Sequence, residues 1–382
     1  MGMGMALTPV TLLALATAVP PHQLEQSAVA DFARRIYAKS FARYPKLADV
    51  FVNAGIERRY SVRPIEWFDA PHDWTERTQA YLDGASALFV QAARAALDRA
   101  GVAARDVDVI ITVSSTGIAT PSLEARVAAE MGFKPSAMRV PVFGLGCAGG
   151  VSGLSIGARL ARAEPGEVVL VVVVELCTLA FRSDRTAKAD VISSALFGDG
   201  AAAVVLRAER EDAPLRIGAT ADHTWPGTLD IMGWSIDPVG FGVVLSRSLP
   251  RFVEQRLAAP ARRFVNAAKL VAPQFICHPG GAKVLDAIET ALDLQKGTLR
   301  DEREVLRGHG NMSAPSVLFV LERALKRGLR GRRCSPRSDP ASPRASLRSR
   351  PAHDPEKWEP VFGEDHAQGK CTWVRGPGWL SS

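Results

Sequence analysis

The chain has little cysteine, and Cys147, Cys177, Cys277, Cys334 and Cys371 follow no paired spacing. That argues against a disulfide framework and fits a reducing compartment, so a cytoplasmic protein is expected. No metal-ligand spacing runs through these five cysteines and the seven histidines, so no metal is expected. An apolar run long enough to span a bilayer is also missing. Leu7 to Val19 is apolar but has no basic region ahead of it, and it leads into Pro20-Pro21. It reads as a first strand rather than a secretion signal. Positive charge is in excess by seven, but residues 327–382 hold eleven basic and six acidic side chains and so supply five of the seven. The excess is no argument for nucleic-acid binding by the rest of the chain.

The 382 residues, 47% hydrophobic and 23% charged, suffice for sizeable buried cores. Glu167-Val-Val-Leu-Val-Val-Val-Val-Glu175 shows no alternation, as expected of a strand covered on both faces. A helical stretch, Ala85 to Ala100, precedes a strand at Val107 to Val113, the alternation of an α/β fold. The C-terminal half predicts a strand at Phe275, a helix from Ala282 to Leu294 and another from about Ser313. Periodicity alone thus gives an α/β protein with a buried sheet.

Within that frame, Val142-Phe-Gly-Leu-Gly-Cys-Ala-Gly-Gly-Val151 places Cys147 between a predicted strand, Met138 to Phe143, and a small-residue helix. N–H groups at a helix start favour a thiolate, and the glycines allow a tight turn and close approach of a substrate. A cysteine among small residues equally fits a small buried hydrophobe. Two further motifs supply partners. Phe275-Ile-Cys-His-Pro-Gly-Gly281 puts His278 at the end of a short strand, and Gly308-His-Gly-Asn-Met-Ser-Ala314 puts Asn311 before a helix. A strand-end histidine and an N-cap asparagine are ordinary structural features taken singly. Cys, His and Asn at the tips of three elements make a nucleophile with two hydrogen-bonding partners.

In this order and at these separations the three motifs resemble the type III polyketide synthases, the chalcone-synthase-like branch of the thiolase superfamily. Ala16-Thr-Ala-Val-Pro-Pro21, Gly55-Ile-Glu-Arg-Arg-Tyr60, Ser114-Ser-Thr-Gly-Ile-Ala-Thr-Pro121 and Ala195-Leu-Phe-Gly-Asp-Gly-Ala-Ala202 support the resemblance, which runs from about Thr11 to about Arg332. It implies a thiolase-like five-layer αβαβα fold of two related halves, residues 1–207 with the cysteine and 208–332 with His278 and Asn311. It implies an acyltransferase using acyl-CoA and malonyl-CoA, and a homodimer, with Thr120 where the plant enzymes carry a methionine into the partner's cavity. Cys147 would hold the growing acyl chain, while His278 and Asn311 would steady the enolate left by decarboxylation of malonyl-CoA. Phe197 and Val243 match the gatekeeper positions and Cys177 a cavity position, with Ser115, Thr116 and Ser313 as further cavity-lining positions. Val243 and Cys177 point toward the bacterial enzymes that extend fatty acyl starters to alkylresorcinols or alkylpyrones. Lys46, Arg58 and Arg59 are possible CoA phosphate contacts, of which only Lys46 matches a family position. The alternatives are a condensing enzyme resembling the ketoacyl-carrier-protein synthases III, whose motif after the histidine is usually Gln-Ala-Asn-like rather than Pro-Gly-Gly, and an inactive remnant that only dimerises or binds.

The remnant reading arises from the C-terminus. Residues 333–382 open on a Ser/Pro/Arg-rich stretch with no helix or strand period, expected to be disordered, where the family has a Gly-Pro-Gly-Phe loop and closing strands. Read two bases out of frame with suitable synonymous codons, Arg333 to Arg350 yields that loop and a strand, so a frame break near Arg332 is expected.

Overall fold

The computed structural model describes residues 8–209, 215–268, 270 and 274–328 and the strand at 369–375. Its centre is a seven-stranded sheet in the order β11-β8-β1-β7-β6-β4-β5. The strands are β1 (Val10–Ala18), β4 (Val109–Val113), β5 (Met138–Val142), β6 (Val168–Leu176), β7 (Asp199–Ala208), β8 (Arg216–His223) and β11 (Gly369–Arg375). Two small antiparallel pairs form separate sheets, β2 (His22–Glu25) with β3 (Arg58–Ser61) and the hairpin of β9 (Met232–Asp237) with β10 (Gly240–Leu245). β4 runs parallel to β5 and β6, while β7 is antiparallel to both β1 and β6.

The valine run becomes β6, and all nine of its residues are buried. Successive strand side chains point to opposite faces. Leu170, Val172 and Val174 accordingly join the cluster of Leu88, Phe89 and Ala92 on one face, and Val169, Val171 and Val173 join that of Leu154, Ala158 and Leu318 on the other. The first layer comes chiefly from the long helix α3 (Trp74–Ala100), while α1 (Gln26–Ile36), followed by α2 (Ala38–Arg43), packs Val29 and Ala33 into a separate cluster. Asp73 caps α3: its carboxylate accepts from the Glu76 N–H at 2.9 Å, and Glu76 accepts from the Asp73 N–H at 3.1 Å, a reciprocal arrangement that satisfies two orphan donors. The second layer comes from α4 (Gly149–Ala163) and a helix of the C-terminal half. That half supplies α6 (Ala282–Ala291), α7 (Arg300–His309) and α8 (Ser316–Lys326), after α5 (Lys188–Leu196) in the first half. α8 packs Val317, Leu318 and Leu321 into the same cluster as α4, so the helix that follows Asn311 and the helix that follows Cys147 share one core.

Two expectations are corrected. The segment 274–281, expected to carry a strand, joins no strand among the described residues; the Cys277 N–H meets a side chain and the Gly280 N–H closes a turn. Within 333–382, expected to lack regular structure, Gly369–Arg375 pairs antiparallel with β8. The Ser/Pro/Arg-rich composition ends before this stretch, and Thr372, Trp373 and Val374 favour strands. The expected frame break near Arg332 and the altered loop lie outside the described residues. No described helix is long and apolar enough to cross a membrane.

Candidate active site

Cys147 is 4% exposed and lies in a single 3-10 turn, Gly146–Ala148, that runs directly into α4. This is the strand-turn-helix context read from the sequence. Gly144 and Gly146 adopt φ of +84° and +50°, which a residue with a Cβ reaches only with strain. Their N–H groups both donate to Ser115 Oγ at 3.2 Å. The first turn of α4 rests on the loop before α8. A Cβ on Gly150 would stand 2.3 Å from the Ala314 carbonyl oxygen and 2.9 Å from Val317, so the approach requires glycine.

His278 is also 4% exposed. Before it, the Cys277 N–H donates to Glu302 Oε1 at 2.9 Å, taking the place of a ladder bond. After it, the Gly280 N–H closes a turn on the His278 carbonyl at 3.0 Å. Asn311, 1% exposed, is fixed at both ends of its amide: Oδ1 accepts from the Ser313 N–H at 2.8 Å and Nδ2 donates to the Gly280 carbonyl at 3.1 Å. Ser313 holds a φ of +58°. Asn311 does not cap α8, whose cap position is Pro315. Its backbone instead forms one parallel bridge beside Phe197, donating to the Leu196 carbonyl at 2.8 Å and accepting from the Gly198 N–H at 3.0 Å. Asn311 therefore ties the turn of His278 to the loop of Phe197, while Ala314, three residues on, seats the helix of Cys147.

Phe197, Cys177 and Val243 line one cavity. Its other walls are mostly apolar, Leu24, Phe32 and Phe181 among them, with Arg59 and Thr178 at polar edges. Burial pushes the Cys177 thiol well above its ordinary range, and Glu175, Asp199 and Cys147 add to the shift. Cys177 is thus a neutral wall beside the thiol of Cys147. Ser115, Thr116 and Ser313 are buried but lie outside this cavity's lining. The Ser115 N–H donates to Glu175 at 3.0 Å and its carbonyl accepts from Trp234 Nε1 at 2.8 Å. The Thr116 hydroxyl donates to Glu175 at 2.8 Å and accepts from the Leu176 N–H at 2.8 Å. These two residues brace the loop of Cys147 against β6 and β9.

Of the basic residues considered for CoA, Arg59 is turned inward and only 2% exposed. It donates to the carbonyls of Ser194, Ala195 and Phe197 at 2.8, 2.6 and 2.9 Å and also to Gln26. Burial pulls its guanidinium down to about 9, with Asp199 opposing, so it stays charged at neutral pH and fixes the Phe197 loop. A surface pocket gathers Lys39, Arg43, Lys188 and Arg247 instead, with Lys188 Nζ 3.6 Å over the Tyr44 ring. Lys46 sits in the following 3-10 turn, Pro45–Leu47, outside that lining. Sequence reading missed this pocket, although Lys39 and Arg43 stand one helical turn apart on α2. It also missed Glu302, whose carboxyl burial pushes up to about 7 against the Cys277 N–H. A carboxylate on the buried face of an amphipathic helix was the available signal. Among the described residues, no group of three or more His, Cys, Asp or Glu is placed to hold a metal.

Comparison with known proteins agrees with this arrangement. The chain matches the N-terminal domain of chalcone and stilbene synthases over residues 3–210 and their C-terminal domain over 217–337. It is 39% identical over 320 residues to a 1,3,6,8-tetrahydroxynaphthalene synthase of Streptomyces peucetius subsp. caesius, covering 82% of this chain and 84% of the relative. It is 32% identical over 336 residues to a 3,5-dihydroxyphenylacetyl-CoA synthase of Amycolatopsis balhimycina, covering 85% and 87%. The crystal structure of the 1,3,6,8-tetrahydroxynaphthalene synthase of Streptomyces coelicolor A3(2), a bacterial type III polyketide synthase, superposes with a TM-score of 0.79 at 29% identity, over 84% of this chain and 92% of that one. The chain belongs to the chalcone and stilbene synthase family and is a type III polyketide synthase, an acyltransferase with the thiolase-like α/β fold.

Proposed function

We propose that Cys147 is the acyl-carrying nucleophile and that His278 and Asn311 form its oxyanion-binding partners. The Cys147 thiolate attacks the carbonyl of an acyl-CoA, and CoA leaves as its thiolate, taking a proton. Malonyl-CoA then loses carbon dioxide, and the electron pair of the broken C–C bond becomes an enolate whose oxygen accepts from His278 and Asn311. The enolate carbon attacks the acyl-enzyme, the Cys147 thiolate leaves, and the extended β-ketoacyl-CoA can reload. Carrying this reading is the amide of Asn311: with Oδ1 held by Ser313 and one N–H on Gly280, its orientation is set and its second N–H is left for substrate. The chemistry calls for no resident cofactor.

The starter is a fatty acyl group and the product an alkylresorcinol or alkylpyrone; the supporting observation is the apolar cavity of Phe197, Cys177 and Val243. The basic pocket of Lys39, Arg43, Lys188 and Arg247 suits CoA phosphates. Two copies would pair along the edge strand β5, where Met138 and Phe143, with nearby Ile118, are more than half exposed. Purified protein incubated with malonyl-CoA and a graded acyl-CoA series tests the starter. Preference for long chains is expected; a product made from malonyl-CoA alone, or a preference for short or aromatic starters, would overturn it. Alkylation of Cys147 by iodoacetamide at mildly acidic pH tests the nucleophile, since only an activated thiolate reacts there.

A further inference from the structure

We propose that Glu302 is a positioning residue for His278, acting through the backbone on one side of the imidazole while Asn311 acts on the other. The inference rests on the catalytic reading above and adds a residue to it. Side-chain bonds to the backbone on either side of His278 help to fix where it stands. Two of them come from one helix and its end. Glu302, in the first turn of α7, accepts the Cys277 N–H at 2.9 Å. Asn311, just past the last turn, donates to the Gly280 carbonyl at 3.1 Å. Residues 277 and 280 bracket the histidine, and α7 is the rigid spacer between the clamps.

Glu302 is 3% exposed, and a carboxyl is costly to bury unless it is hydrogen-bonded. Its charged neighbours are engaged elsewhere. Asp301 pairs with Arg323 and Arg327. Glu289 pairs with Arg303 and accepts from the N–H groups of Gly297 and Leu299. The bond to Cys277 is thus the purpose the surroundings leave for Glu302. A carboxylate and an amide oxygen both accept such a bond, whereas an aliphatic side chain does not.

The test compares wild type, Glu302→Gln, Glu302→Leu and His278→Ala by two readouts: the pH profile of Cys147 alkylation by iodoacetamide, and malonyl-CoA decarboxylation. Expected is a loss of at least about tenfold in decarboxylation for Glu302→Leu, with its alkylation profile moved toward that of His278→Ala, and recovery to within about threefold of wild type in Glu302→Gln. If Glu302→Gln is as impaired as Glu302→Leu, or if Glu302→Leu matches wild type, the positioning role is overturned. If His278→Ala alkylates like wild type, the pairing of His278 with Cys147 fails, whatever Glu302 does. Should Glu302→Leu not fold, hydrogen exchange of the peptide containing Cys277 decides between the other proteins: protection retained in Glu302→Gln supports the clamp, and protection lost there overturns it.

Discussion

The two regions that meet at the active site are built on different principles. Cys147 issues from a sheet in which β6 is paired on both sides and buried on both faces. His278 lies on a segment with no ladder among the described residues, held by a carboxylate, a turn and an asparagine amide. A paired strand spreads its support over many bonds and side chains, so losing one is diluted. Polar contacts on the two residues that flank one side chain act on it directly, so losing one should move His278. Apart from Cys147 itself, losses in the first region should therefore read out mainly as stability and losses around His278 mainly as chemistry.

The largest break is expected at Cys147, the proposed nucleophile. Cys147→Ala should lower product formation at least ~1000-fold with an unchanged circular dichroism spectrum; residual turnover near wild type would remove Cys147 from the mechanism. Next comes the buried guanidinium. Arg59→Met leaves the buried carbonyls of Ser194, Ala195 and Phe197 without their guanidinium donor and should cost ~3–5 kcal/mol in denaturant unfolding. In the sheet, Leu170→Ala should cost ~2–5 kcal/mol yet leave Cys147 alkylation rates within about twofold at temperatures where the variant is folded. Protonation sharpens the contrast from the other side. Glu302 has a carboxyl raised from 4.5 to about 7, so the folded form binds its proton more tightly than the unfolded chain does. The stabilisation is full below pH 4.5 and is lost as pH climbs through about 7, by up to ~3 kcal/mol. Unfolding midpoints measured between pH 5 and 8 should fall more steeply for wild type than for Glu302→Gln. The smallest effect is expected at Ser115. Removing its hydroxyl in Ser115→Ala gives up two long bonds to Gly144 and Gly146, ~1 kcal/mol of stability, and the alkylation rate of Cys147 should drop more visibly than the melting point.

How much could be read beforehand follows the same division. β6, β4, α3 and the strand-turn-helix of Cys147 were legible because local pattern and tertiary position agree there. An unbroken valine run has few other fates, and small residues after a glycine turn announce a close-packed helix. The motifs of His278 and Asn311 were legible as motifs. The strand expected at Phe275 has no counterpart among the described residues, because apolar content and β-propensity report that a segment is buried and not which neighbour it pairs with. Arg59 was read as a surface cation from its place in a basic run, although tertiary contacts with residues 194–197 turn it inward. Glu302 went unnoticed because an acidic residue near a helix start has an adequate local explanation in the dipole, and only the fold reveals what its carboxylate faces.

The bridge between Asn311 and Phe197 bears on recombination. The chain invites division near residue 210, where the two family domains abut. Yet one residue of the second part supplies the backbone partner for a cavity residue of the first. A chimera joining halves from two parents would inherit a doorway shaped by one and a fastening supplied by the other, so starter preference should not travel intact with either half. Crossovers that keep 194–199 and 309–314 from the same parent are the ones in which specificity can be exchanged as a unit.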